Sequence, residues 1–302
     1  MKNTRVSQLP PSPGGLLNRA LHAFSTAGKT YGAEWYILLV GLFIVVFMIF
    51  MTAFPWLFTS FNPSDQDAGP QLAAPGGIHL MGTDNLGRDI WARMVWGAQT
   101  ILGVAFAAAL ISSLIGIPLG LLSGFVGGPL DRVLSLTMDS VYSFPGLILA
   151  IAFAAMMGPG VVNITLAVAV IYIPTYYRLV RGQTISIREE LYVEAAQVLG
   201  AKRWTILGRY IFPNVIATTV VVFSVNIADA IMTEAALSYI GLGLPAGMPD
   251  WGMDLSMGKK FLPSGSWWLI TFPGMMIMTL ALGFTLLGEG LAEILNPKLL
   301  ER

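Results

Sequence analysis

Residues 35–58 read WYILLVGLFIVVFMIFMTAFPWLF, an apolar run without one charged side chain. A helix needs about 20 mostly apolar residues to cross the hydrocarbon of a bilayer, so this run is long enough to span. Barrel strands would alternate apolar and polar residues, and this run does not. It also exceeds the roughly 7–15 residues of a signal-peptide core, and no small-x-small cleavage site follows it, so it reads as a retained anchor.

The rest of the chain has the same character. Of 302 residues, 55% are apolar and 11% charged, with a mean hydropathy of +0.70. A soluble domain carries roughly 25% charged residues, so this chain lacks the polar shell of a soluble enzyme and is too apolar for a disordered one. The formal net charge is zero and no basic block exceeds two residues, which argues against nucleic-acid binding. With no Cys there is no disulfide, thiolate metal site, cysteine nucleophile or lipoprotein anchor, and His22 and His79 stand far apart. Uncharged or nearly uncharged stretches predict five further spans near 97–123, 134–157, 161–178, 211–241 and 267–288. Gly158-Pro159-Gly160 separates the third from the fourth. Trp35, Trp56, Trp96, Trp267 and Trp268 fall at span ends, where interfacial aromatics belong.

The fold class is therefore all-α integral membrane with six transmembrane helices. With the N-terminus inside, thirteen of the 17 basic residues lie on the cytoplasmic side; only Arg88, Arg93, Lys259 and Lys260 lie outside. The positive-inside rule thus places both the N- and C-termini in the cytoplasm. The organisation reads as a cytoplasmic tail over 1–34, a first span over 35–58, an extracytoplasmic loop over 59–96, a core over 97–288 and a cytoplasmic tail over 289–302. Residues 23–30, AFSTAGKT, nearly spell a phosphate-binding loop. The first position is Ala rather than Gly, no strand precedes it and a span follows, so nucleotide binding there is set aside.

The inner loop is the most informative polar segment. Residues 186–214 read SIREELYVEAAQVLGAKRWTILGRYIFPN. Ser186 and Glu189 have capping-box spacing, predicting a helix from 187 that Gly200 closes. Leu191, Ala195, Val198 and Leu199 form one stripe, and Tyr192, Ala196 and Gly200 a smoother one beside it. Such a helix suits either docking into another protein or rest on the headgroups.

Glu194-Ala195-Ala196, three residues, Gly200, nine residues, then Phe212-Pro213 resembles the EAA loop of bacterial ATP-binding-cassette (ABC) import permeases, with Tyr210 and Phe212 where that pattern has Ile and Leu. Two outer-loop elements are similar to the dipeptide/oligopeptide/nickel transport family, second (C-type) permease. One is Gly82-Thr83-Asp84-Asn85-Leu86-Gly87-Arg88-Asp89. The other is Glu234-Ala235-Ala236-Leu237-Ser238-Tyr239-Ile240-Gly241-Leu242-Gly243 with Pro249-Asp250-Trp251-Gly252, where Ala246-Gly247-Met248 replaces a frequent proline run. Gly288-Glu289-Gly290-Leu291 and Asn296-Pro297 are similar to the family's ending.

The resemblance implies a type I ABC importer permease fold in a bacterial or archaeal cytoplasmic (inner) membrane. It implies a coupling helix over 187–200, with Tyr192, Glu194, Ala195, Ala196 and Gly200 meeting an ATPase. The implied partners are a homologous second permease, two cytoplasmic ATPase subunits or domains and an extracytoplasmic solute-binding protein. The chain would have no catalytic or metal site and no cofactor of its own, with ATP and Mg²⁺ on the ATPases. The implied cargo is a di- or oligopeptide, although relatives also carry glutathione-like compounds, nickel chelates and oligosaccharides.

Asp139, Asp229 and Glu234 lie inside or at the edge of spans, where charge is costly and calls for a partner, water or the bundle interior. They are candidates for lining a path, or for helix–helix bonding. Asp229 and Glu234 point about 140° apart on a helix and form no chelating pair. The three could instead relay protons in a self-sufficient secondary transporter, but no inverted repeat supports that rival; a receptor or scaffold would need a sensor domain that is absent. Gly116, Gly120 and Gly124 read as a close helix contact, and Met156-Met157 and Met275-Met276 as core filler. Asp65, Asp67, Asp84 and Asp89 lack calcium-loop spacing.

Overall fold

The computed structural model describes residues 32–245 and 247–294. Most of the N-terminal tail, with His22 and the near-phosphate loop, lies outside the described residues, as do Ala246, Asn296 and Pro297. The helices are α1 Ala33–Ala53, α2 Ile90–Val126, α3 Gly128–Tyr142, α4 Gly146–Met157, α5 Val161–Arg188, α6 Leu191–Val198, α7 Phe212–Tyr239, α8 Trp251–Gly258 and α9 Trp268–Ile294. Five spans are long and apolar enough to cross a membrane: α1, α2, α5, the run Arg203–Tyr239 and α9; α3 and α4 together make a sixth, broken one. Among the described residues there is no strand, only two isolated bridges in the outer loop.

The expected third span, 134–157, needs correction. It is two helices, α3 and α4, bent by 87° across Ser143-Phe144-Pro145. Proline lacks the N–H that a helix interior requires and pushes the preceding residue out of helical backbone, so Pro145 ends α3 and begins α4. The second and fourth spans are also longer than expected, reaching Ile90–Val126 and Val161–Arg188.

The spine of the molecule is the contact between α2 and α5. A Cβ on Gly116 would meet Tyr176 Cβ at 2.6 Å, one on Gly120 would meet the Tyr177 carbonyl oxygen at 2.7 Å, and one on Gly124 would meet the Arg181 carbonyl oxygen at 2.8 Å. Any side chain there separates the two backbones, so the spaced glycines are a packing seam. Ser112 Oγ donates across it to the Ala169 carbonyl at 2.8 Å. A second seam joins α1 to α9, where Gly41, Gly283 and Gly290 pack on the facing helix. Its glycines are not regularly spaced, which hid it from a sequence reading. Ahead of α7, Ile206–Ile211 form a π-helical turn. Pro213 would press its ring on the carbonyl four residues back in regular α-helix, and the wider turn relieves that clash.

Replacing Gly120 by Leu should destabilise the solubilised protein by about 3 kcal/mol or more, because the clash is with backbone. The expected outcome is a large fall in thermal midpoint for Gly120→Leu, with Gly182→Leu, at a position with nothing within 4 Å, nearly unchanged. Equal midpoints would refute the seam.

Candidate functional site

On the inner side, α6 begins at Leu191, not at 187. Ser186 lies inside α5, and the N-cap residue of α6, Glu190, makes no side-chain cap bond. The capping-box reading is overturned because Arg188 holds α5 helical to its end. Its guanidinium donates to the Gly124 and Phe125 carbonyls of α2, both at 3.2 Å. After two residues the chain re-enters helix. It closes at Gly200, with φ +84°, where Ala201 N donates to the Ala196 carbonyl at 3.0 Å and Gly200 N to Gln197 at 2.9 Å. That bond pair is the left-handed closure that favours glycine.

The two faces of α6 differ from the sequence expectation. Val193 is buried in the chain's own inner core with Val180, Ile206, Leu207, Ile211 and Val215. Ala196 is buried on the same side of the helix and is not part of an outward patch. Tyr192 also leans back, its ring 6.5 Å from that of Tyr210 and its hydroxyl 3.5 Å from Asn214 Nδ2. The outward apolar stripe is Leu191, Ala195, Val198 and Leu199, with Val198 and Leu199 each 87% exposed. Beside it Glu194 lines an open polar cavity of about 570 Å³ shared with Arg188, Glu189, Gln197 and Arg203.

On the outer side, the 82–89 segment is a tight, fully bonded turn. Asp84 accepts from the amides of Leu86 (2.8 Å) and Arg88 (2.9 Å), and from Arg88 Nε at 2.6 Å. Thr83 Oγ1 accepts from Ala73 N at 2.8 Å and donates to the Pro70 carbonyl. Asp89 caps α2 through Ala92 N at 2.7 Å and binds His79 Nδ1 at 2.8 Å. Gly82 and Gly87, at φ +79° and +73°, make the reversals, and a Cβ on Gly82 would strike the Ala73 carbonyl. This loop meets the second outer loop through Arg93. That side chain bonds Asp254 (2.7 and 2.8 Å) and the Pro63 and Met248 carbonyls (3.1 Å each). Trp251 Nε1 donates to the Met94 carbonyl at 3.0 Å.

The three intramembrane acids have different surroundings. Asp139 on α3 pairs with Arg178 of α5 at 2.6 Å, and Arg178 also sits 4.0 Å above the Tyr142 ring. Asp131 pairs with Arg181 at 2.5 Å, so two ion pairs bind α3 to α5. Glu234 is buried; its Oε1 accepts from Ser238 Oγ at 3.1 Å, and the same hydroxyl lies 2.6 Å from Asp250 Oδ2. Asp229 points the other way and borders a cavity of about 440 Å³ at the α3–α4 break, among Tyr142, Phe144, Tyr172, Asn226 and Thr233. The structure brings none of these three acids onto a common partner, which removes the geometric basis of a relay.

The family model described as "Binding-protein-dependent transport system inner membrane component" matches residues 116–301, more than half of the chain. The chain belongs to this family. It is a multi-pass permease of a binding-protein-dependent transport system. This permease is 38% identical to the dipeptide transport system permease protein of Alkalihalophilus pseudofirmus, over 86% of each chain. It is 38% identical to the probable D,D-dipeptide transport system permease protein of Escherichia coli, over 84% of this chain and 85% of that one. It is 41% identical to the glutathione transport system permease protein of Pectobacterium atrosepticum, over 74% of each. In fold it matches a chain of the inward-facing MetNI methionine ABC transporter, with TM-score 0.53 and 18% identity, covering 68% of this chain and 97% of that one. That likeness is an ABC importer permease fold.

A sequence reading of the permease missed the Arg93–Asp254 junction and the Asp250–Ser238–Glu234 cluster. The available signal was a charged residue just inside an otherwise apolar span, with an unmatched acid across the other outer loop. Asp250 caps α8 through Met253 N at 3.0 Å. Burial pushes its carboxyl above the ordinary range, while the Ser238 hydroxyl and the helix amides oppose that shift. The fold therefore holds this proton more tightly than the unfolded chain does, and stability is lost as pH rises through the raised value. Asp250→Asn keeps a good cap without the charge. Its thermal midpoint should exceed the parent's by a few degrees near pH 8, and the gap should close as pH falls to the ordinary carboxyl range, where Asp250 is protonated in the folded and the unfolded chain alike. A gap that widens in acid would refute the assignment.

Proposed function

We propose that this permease carries di- or oligopeptides inward, forming the path with a homologous second permease. Two cytoplasmic ATPase subunits or domains would bind ATP and Mg²⁺, an extracytoplasmic solute-binding protein would deliver the cargo, and this chain would hold no cofactor and catalyse no reaction. Both termini would lie in the cytoplasm. The peptide assignment is supported by the dipeptide and glutathione permeases among its relatives.

One observation carries the coupling role. The α6 helix is rooted by Val193 and Ala196 and presents Leu191, Ala195, Val198 and Leu199 outward. A helix fixed on one face and apolar on the other suits a cleft in an ATPase, with Glu194 at its polar edge. ATP can bias the permease only by favouring one of its states over the other. A helix rooted in the same core as the end of α5 would pass that bias to the spans as rigid movement, and Gly200 would keep its length short.

Ala196 is unsuited to testing this because Arg there would break the chain's own packing. Ala195→Arg and Leu199→Asp change exposed positions. Each should leave membrane insertion intact, cost about 2 kcal/mol of ATPase docking, near thirtyfold in affinity, and abolish ATP-driven uptake. The measurement is copurification of the ATPases with the tagged chain, together with peptide uptake in proteoliposomes. Wild-type uptake and copurification in both variants would overturn the docking role.

A further inference from the structure

Two acids on the span helices are paired with arginines inside the chain, Asp131 with Arg181 and Asp139 with Arg178. Glu234 is sealed in the interior, its Oε1 on the Ser238 hydroxyl and its Oε2 without a hydrogen bond among the described residues. Asp229 differs in its setting: among the described residues its carboxylate has no hydrogen bond and no basic partner, and it borders a cavity. Its backbone carbonyl accepts from Thr233 Oγ1 at 2.9 Å, and that hydroxyl in turn meets Tyr172 OH at 2.9 Å. The hydroxyls beside the carboxylate are therefore already engaged, and the negative charge is left to the cavity. An uncompensated charge in a span calls for a partner, and here nothing in the chain supplies one.

The cavity says what kind of partner fits. Its volume of about 440 Å³ lies within the roughly 300–1,000 Å³ of small-molecule sites and is far larger than one bare ion needs. Its wall combines the carboxylate with the aromatic residues Phe144 and Tyr172 and the buried amide of Asn226; Tyr142 borders it too, but Arg178 already lies over that ring. One carboxylate with aromatic faces is the recognition set for an organic ammonium, whereas a metal ion needs several free oxygen ligands. The cavity lies where the α3–α4 break opens the bundle, and discontinuous helices are a recurrent setting for transporter sites.

We propose that Asp229 is a transient binding site for the cationic amine of the transported solute, as at the N-terminus of a peptide. This rests on the importer reading above and specifies the chemistry of its path. The site must hold the amine loosely enough to release it, so its contribution should be modest.

The test uses the assembled transporter in proteoliposomes with its binding protein, ATP and alanyl-alanine as the probe. The parent, Asp229→Asn and Asp229→Glu are compared for peptide uptake and for ATPase activity stimulated by the loaded binding protein. Asp229→Asn should lower uptake about tenfold while stimulated ATPase activity stays within twofold of the parent, and Asp229→Glu should recover most of the uptake. Undiminished uptake in Asp229→Asn would overturn the site. So would a parallel loss of uptake and ATPase stimulation, which marks a structural role. Loss of the second permease on purification of Asp229→Asn would also overturn it, placing the missing cation on that subunit. Failure of the parent itself to import the peptide would remove the importer reading and this site with it. Failure confined to the Asp229→Asn prediction would remove the site alone.

Discussion

The backbone contact between α2 and α5 is the constraint on which the remaining structure depends. Along its length it is held by van der Waals contact over three successive glycine turns, with hydrogen bonds from Ser112 and, at the inner end, Arg188. In lipid there is no hydrophobic drive to bring helices together, so close, extensive contact must supply the association. The two helices are also the chain's longitudinal connectors. α2 starts at the Asp89 cap of the outer loop, and α5 ends at Arg188, two residues before α6 begins. At 37 residues α2 is about 55 Å long at 1.5 Å per residue. Arg188 closes the lower end of the same pair by bonding the last carbonyls of α2. The outer turn and the inner helix are thus two ends of one stiff unit.

Charge is used sparingly and almost always locally. In the outer loops Asp84–Arg88 and Arg93–Asp254 are buried ion pairs; backbone amides meet the remaining acceptors of Asp84, and backbone carbonyls the remaining donors of Arg93. Such pairs add less to stability than their distances suggest, because desolvation offsets much of the attraction. Their value is geometric. Arg93 alone reaches Pro63, Met248 and Asp254, fixing two loops distant in sequence against the start of α2. The Asp131–Arg181 and Asp139–Arg178 pairs perform the corresponding task for α3, whose polar face would otherwise have no reason to lie along α5.

The spans, their approximate limits and the glycine seam were legible because each follows from a local rule: length of apolar run, charge-free windows, or small residues every fourth position. The EAA spacing and the outer-loop motif were legible as patterns of specific residues. Tertiary choices were not legible. Pro145 sits in an uncharged stretch whose hydropathy conceals the bend. Ser186 and Glu189 satisfy a capping rule that loses to Arg188's hold on α2. Val193 and Ala196 take the inward face of α6, although Leu191 and Leu199 are larger and Val198 is as apolar as Val193. Periodicity identifies the stripes of a helix but not which one the chain reserves for itself; that depends on where Ile206, Leu207 and Ile211 come to lie.

The π-helical turn at Ile206–Ile211 sets the angular phase of everything after it. A turn of this type holds the equivalent of one extra residue, which rotates the following helix by about 100° relative to an uninterrupted one. The faces of α7, with Asp229 towards the cavity and Glu234 towards α8, are therefore fixed upstream, next to the inner helix. Straightening that turn would swing α7 about its own axis, and it would first have to break the bonds that hold the present phase: Ser224 to the Phe284 carbonyl, Thr233 to Tyr172 and Ser238 to Asp250.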